Sequence, residues 1–115
     1  MKSVDQVQAA LAPADRAMAV AFRSRLEAIV PVLDVRVFGS RARGDAREDS
    51  DLDVFIELEA LDRPLRDRIH DLAWEVGFEH GCVISTFVVT EAQIREGAIG
   101  ASPLLAKVLT EGIKV

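Results

Sequence analysis

The apolar positions of the chain fall into helical stripes separated by short strands. Ser3-Val4-Asp5-Gln6 has a capping-box pattern, serine at the cap and glutamine at the third helical position, and Val4, Val7 and Leu11 continue it as a short helix that Pro13 ends. From Ala14 onward Met18, Phe22, Leu26 and Ile29 recur at spacings of three and four, which predicts an amphipathic helix running until Pro31. Asp15, Arg16, Arg23, Arg25 and Glu27 lie largely off that stripe. An apolar strand follows around Val35, Val37 and Phe38, and in residues 51–58 every even position is apolar while the odd ones begin with two acids. That period of two marks a strand with one buried face. Asp62-Arg63-Pro64 supplies a cap and an early proline for a long helix that buries Leu65, Ile69, Leu72 and Val76. After Gly81, residues 82–89 form a β-branched and aromatic run expected to be a central strand. Thr90-x-x-Gln93 caps a helix ending near Gly97, and Ser102-Pro103 starts a last one with Leu104, Leu105, Val108 and Leu109 inward and Gly112 as its stop.

The ten residues 40–49 are too few for a parallel crossover, so the first two strands are expected to be antiparallel neighbours. Trp74 falls on the side of its helix opposite the buried stripe, together with Arg63, Asp67, His70, Asp71 and Phe78. An aromatic residue in that company is a candidate anchor for a homodimer or for a partner's docking face, the alternative being burial under the N-terminal helix or a loop.

At 115 residues the chain is read as one domain over 1–115, with room for one core and none for a second substrate-binding module. No apolar run reaches membrane-spanning length and the first residues have no signal-type segment, so the expectation is a cytoplasmic protein without membrane association. A net charge of −5 argues against general nucleic-acid binding, because Arg36, Arg41, Arg43 and Arg47 are interleaved with Asp34, Asp45, Glu48, Asp49, Asp51 and Asp53. Cys82 is the only cysteine, which excludes a disulfide within the chain and leaves a buried structural thiol as the expectation. His70 and His80 have no partner at metal-binding spacing and read as solvated or capping residues.

Candidate chemistry gathers in one stretch. Asp51 and Asp53 project from the same strand face about 6.6 Å apart, which suits convergence on one hard divalent ion, Mg²⁺ or Mn²⁺, or on a close pair. Gly39-Ser40 ends the preceding strand, where an unhindered glycine amide and the serine amide and hydroxyl can receive an anion. Arg41 and Arg43 add permanent charge with a fork matched to phosphate oxygens. Phosphate cradle and metal-binding acids together suggest a metal-bound nucleoside triphosphate.

Gly39-Ser40-x-Ala42-Arg43-Gly44 followed by Ser50-Asp51-x-Asp53 resembles the signature of the minimal nucleotidyltransferases of the DNA polymerase β superfamily. The resemblance implies an α+β fold of that type, a small mixed three-stranded sheet in order 1-2-3 packed with helices. It implies further that Gly39, Ser40 and Ser50 belong to the nucleotide site and that Asp51 and Asp53 are catalytic metal ligands. Arg41 and Arg43 would assist the phosphates or fix the loop by pairing with acids. The family's third carboxylate belongs on the next strand, where residues 83–89 contain none and Ser85 or Thr86 takes the matching place. Glu57 lies about 13 Å along the strand from Asp53 and is too far to substitute. Two functions follow from the resemblance. In one, the protein transfers a nucleoside monophosphate, AMP from ATP being the expected case, to a hydroxyl on a partner protein; in the other, it is a degenerate module that binds the nucleotide or the partner only. Minimal members of the family often act as antitoxins beside an all-helical HEPN protein, and both functions fit a toxin-antitoxin pair.

Overall fold

The computed structural model describes residues 11–115, so the short helix expected around Val4 and Val7 lies outside the described residues. Helix α1 (Pro13–Glu27) is opened by a proline whose missing amide costs nothing in a first turn, and it buries Met18, Ala19, Phe22 and Leu26. It ends three residues before the expected limit, in a turn over Ala28 to Val30, so that Ile29 packs on the core from outside the helix. Strand β1 (Asp34–Phe38), the short helix α2 (Ser40–Arg43), strand β2 (Leu52–Leu58) and helix α3 (Arg63–His80) follow. Asp62 caps α3 by accepting the Leu65 amide at 2.9 Å, and Gly81 ends it at φ 70°. His80 caps the same end through its Nδ1, 2.9 Å from the Val76 carbonyl. Strand β3 (Ile84–Thr90), helix α4 (Glu91–Glu96) with its Thr90–Gln93 capping box, a 3-10 turn (Ala98–Ala101), helix α5 (Pro103–Glu111) and strand β4 (Ile113–Lys114) complete the chain.

The sheet has four strands in the order β3-β2-β1-β4, with β1 antiparallel to β2 and β4 and β3 parallel to β2. The three-stranded order 1-2-3 is therefore present and gains β4 at the β1 edge. Two residues of pairing after Gly112 were invisible to periodicity, which needs several alternations to register. β3 is an edge strand rather than a central one. Its apolar run has a different cause: Ile84 and Val88 pack on the main core while Phe87 and Val89 pack on a second one. Cys82 precedes the strand and is half-buried, with its thiol near the Ser50 carbonyl, so it is not the buried core thiol expected.

Each face of the sheet has its own core. On one, Val35, Val37, Leu52, Val54, Ile56 and Leu58 meet the apolar stripes of α1 and α3. On the other, Phe55 packs with Val89 and with Leu105 and Val108 of α5, and Phe38 and Phe87 close around it. Phe87 meets Phe55 and Phe38 edge-on, with ring centroids 5.7 and 6.5 Å away. Leu104 and Leu109, expected inward, are exposed. The nine-residue α5 presents only the Leu105–Val108 seam to the sheet.

Candidate functional site

The site lies on the second face, where β1 ends and β2 begins. Phe38 pairs with Asp53 across the antiparallel ladder, so the chain leaving β1 at Gly39 passes directly over the Asp53 carboxylate. Gly39 has φ 77°, a left-handed conformation, and a Cβ there would overlap Asp53 Oδ2. The positive φ requires glycine, and the bare backbone lets the carboxylate approach this closely. The turn runs straight into the opening of α2, whose first amides, Ser40 and Arg41, have no carbonyl within the helix to donate to. Gly39→Ala is expected to cost about 1–3 kcal/mol from the backbone conformation alone and to swing Asp53 out of place. Thermal denaturation should report the first effect, and loss of metal-dependent nucleotide binding the second.

Arg41 holds the loop. Its Nη1 lies 2.9 Å from Asp15 Oδ1, its Nε and Nη2 donate to the Ser50 carbonyl at 3.0 and 2.7 Å, and Nη2 also reaches the Glu48 carbonyl at 3.2 Å. Of the two roles expected of Arg41, loop-fixing is the one with contacts. Its partner Asp15 is only 7% exposed, and pairing is what makes such burial tolerable for a carboxylate. Ser50 closes the same loop, its Oγ accepting the Arg47 amide at 2.9 Å. A buried clamp from α1 thus fixes residues 48–50 and delivers Asp51 and Asp53 to the mouth of β2.

Arg43 is more open, within 3.3 Å of Asp45 and 3.7 Å of Glu111. Asp53 is half-buried, and its pKa is raised by that burial and by the Asp51 charge; Arg43 opposes the rise. Two carboxylates that repel one another, with one cationic side chain nearby, leave an electrostatic deficit that a hard cation would remove.

The parallel register places Ser85 beside Asp53 and Thr86 beside Val54. Paired residues of neighbouring strands share a face, so Ser85 belongs to the site face and Thr86 to the main core face. Glu57 sits opposite Asp34 at the far end of β2, its pKa raised by burial and by Asp34 and Glu91 and lowered by Arg36. Among the described residues no group of three or more His, Cys, Asp and Glu is placed to hold a metal. Asp51 and Asp53, with Ser85 alongside, fit one divalent cation completed by water and phosphate oxygens. They do not by themselves fit a second.

Asp15 is the contributor that periodicity missed. It had the look of a solvated helix charge, and nothing local announces a partner 26 positions away.

A family model for the nucleotidyltransferase domain matches residues 20–109. A solved structure provisionally described as a minimal nucleotidyltransferase is 34% identical, with a TM-score of 0.58 over 87% of this chain and 91% of that one. Another, from Sulfolobus solfataricus and provisionally described as a nucleotidyltransferase, is 14% identical with a TM-score of 0.45 over 90% and 86% of the two chains, too distant to bear on the site. No curated protein matches the chain. The Gly-Ser turn, the paired aspartates and the three strands that carry them all fall within the matched residues, and the chain belongs to the nucleotidyltransferase domain family.

Proposed function

We propose that this domain binds a magnesium- or manganese-complexed nucleoside triphosphate, ATP in the first instance, and transfers its nucleoside monophosphate to a hydroxyl on a partner protein, the hydroxyl oxygen bonding to the α-phosphorus as the bond to the β-phosphate breaks and pyrophosphate leaves. The observation that carries the reading is the Asp53 carboxylate packed against the bare backbone of Gly39, where no Cβ fits, which sets the Gly-Ser turn and a charge-deficient acid pair side by side. Asp51 and Asp53 would hold the cation, whose contribution is to neutralise charge on the phosphates. Gly39 and Ser40 receive the β- and γ-phosphates. Arg43 balances the site's charge, and the Arg41–Asp15 clamp, with Ser50, keeps the acids in register with the turn. Positioning and charge neutralisation account for most of what a protein contributes to displacement at phosphorus, and both are assigned here to rigid elements.

The reading extends to an antitoxin acting on a helical HEPN protein that supplies the acceptor hydroxyl. A second reading is favoured by the serine in the third ligand position: a module that binds nucleotide or partner without transfer. Calorimetry with ATP, GTP, CTP and UTP, each with Mg²⁺, with Mn²⁺ and with EDTA, tests the shared part. Binding is expected only with metal, because the acids otherwise repel the phosphates. Failure of all four nucleotides at millimolar concentration with either metal would mean that the ligand site is vestigial. Metal-dependent transfer of labelled nucleotide to a HEPN protein encoded next to this chain would then separate enzyme from module. Among the described residues no helix is long and apolar enough to cross a membrane.

A further inference from the structure

Beside the site, at the end of the sheet where β2 and β3 begin, lies an open groove of ≈ 440 Å³. Its apolar wall is Trp74, Phe78 and Val83, which are 66%, 76% and 56% exposed. Trp74 and Phe78 stack on each other, ring centroids 6.2 Å apart and planes 30° apart, and so present a continuous aromatic surface. Across from them stand Glu48 and Asp49, neither of which has an ion-pair partner among the described residues, and no Lys or Arg among the described residues lines the groove. Ser50 completes the wall, immediately before Asp51.

A broad aromatic face opposite unpaired carboxylates is complementary to a cation with an apolar stem. The ring faces attract a guanidinium or ammonium group, the acids pair with it, and the methylenes cover the apolar wall. A nucleobase would gain the stacking and could donate an amino hydrogen to an acid, but it would leave the charge of Glu48 and Asp49 unneutralised and bring them toward its phosphates. We infer that this groove docks a basic, partly apolar segment of a partner protein, with an arginine or lysine between Trp74 and the Glu48–Asp49 wall. A segment held there touches Ser50, the residue that precedes Asp51. That it thereby presents an acceptor hydroxyl rests on the transfer reading, whereas the docking itself does not.

Trp74 is the only tryptophan, so its fluorescence reports the groove directly. The probes are a labelled nine-residue peptide of arginine, leucine and one tyrosine, its counterpart with glutamate in place of arginine, and adenosine. The arginine peptide should quench Trp74 and bind in anisotropy at least tenfold more tightly than the glutamate peptide, and added salt should weaken it. Trp74→Ala and the pair Glu48→Gln, Asp49→Asn should each weaken anisotropy binding at least fivefold while leaving the thermal midpoint unchanged. Equal binding of the two peptides, or indifference to these variants, overturns the proposal. So does adenosine quenching that the arginine peptide does not match, which would assign the groove to a nucleobase, or sedimentation showing that Trp74→Ala dissolves a homodimer, which would assign it to a second copy. Asp53→Asn keeps the two readings apart, since peptide docking should persist in that variant even where transfer is lost or never observed.

Discussion

Replacing Asp53 by asparagine should weaken metal-promoted nucleotide binding by roughly 100-fold or more, since even groups one step removed from a metal change its affinity by 10–100-fold. The same variant should be more stable than the parent in metal-free buffer at neutral pH. Burial and the Asp51 charge raise the Asp53 pKa in the folded protein, so the folded chain holds that proton more tightly than the unfolded chain does. The resulting stability is complete below the unfolded value of about 3.9 and is lost as the pH rises through the folded pKa. At pH 7 the ionised carboxylate therefore opposes folding, and asparagine relieves the opposition. Thermal midpoints in EDTA should show Asp53→Asn above the parent at pH 7, with the gap closing as the pH falls below about 4. A variant that kept full metal-promoted binding would remove Asp53 from the site; one less stable than the parent at pH 7 would mean that the carboxylate is satisfied by protein contacts and holds no deficit for a cation to fill.

The parts of this site written in consecutive residues were legible, and the parts that depend on distant pairing were not. Gly39-Ser40 and Asp51-x-Asp53 stand at the paired end of β1 and start of β2, adjacent antiparallel strands, so spacing and alternation were enough to bring them together. The caps at Asp62, Thr90 and Ser102 are likewise local hydrogen bonds between a side chain and an amide two or three residues on, and their patterns announced them. Trp74 could be placed on the polar side of α3 because a helix fixes the angle between its residues. The edge position of β3 could not be read, because a run packed on two cores has the same composition as one at the centre of a sheet. Nor could the Arg41–Asp15 clamp, where charge patterning offers many equivalent partners and only the packing of α1 against the loop selects one. Leu104 and Leu109 show the opposite failure: a helix more apolar than its contact needs reads as fully inward, yet the seam it fills is two residues wide.

Aspartate at position 85 and aspartate at position 86 should behave in opposite ways, because the parallel register puts Ser85 beside Asp53 on the site face and Thr86 beside Val54 on the main core face. Neighbouring strands are about 4.8 Å apart, close enough for carboxylates on paired residues to share one cation. Ser85→Asp should therefore strengthen Mn²⁺ binding by roughly 10–100-fold, the range over which carboxylate partners tune a metal site. Without metal, a third acid beside Asp51 and Asp53 adds to the repulsion that already raises the Asp53 pKa, so the variant should unfold at a lower temperature than the parent in EDTA at pH 7. Saturating Mn²⁺ should restore it, by about 2.7 kcal/mol at a hundredfold excess over the dissociation constant. Thr86→Asp instead turns a carboxylate toward the face that carries Ile84 and Val88, away from Asp51 and Asp53, and should cost about 1–3 kcal/mol that no metal recovers. Metal titration followed by thermal denaturation in EDTA and in Mn²⁺ distinguishes the pair. Should Ser85→Asp fold normally and gain no metal affinity, the third strand would not complete the metal site, and the acceptor's activation would have to come from the partner protein or be absent.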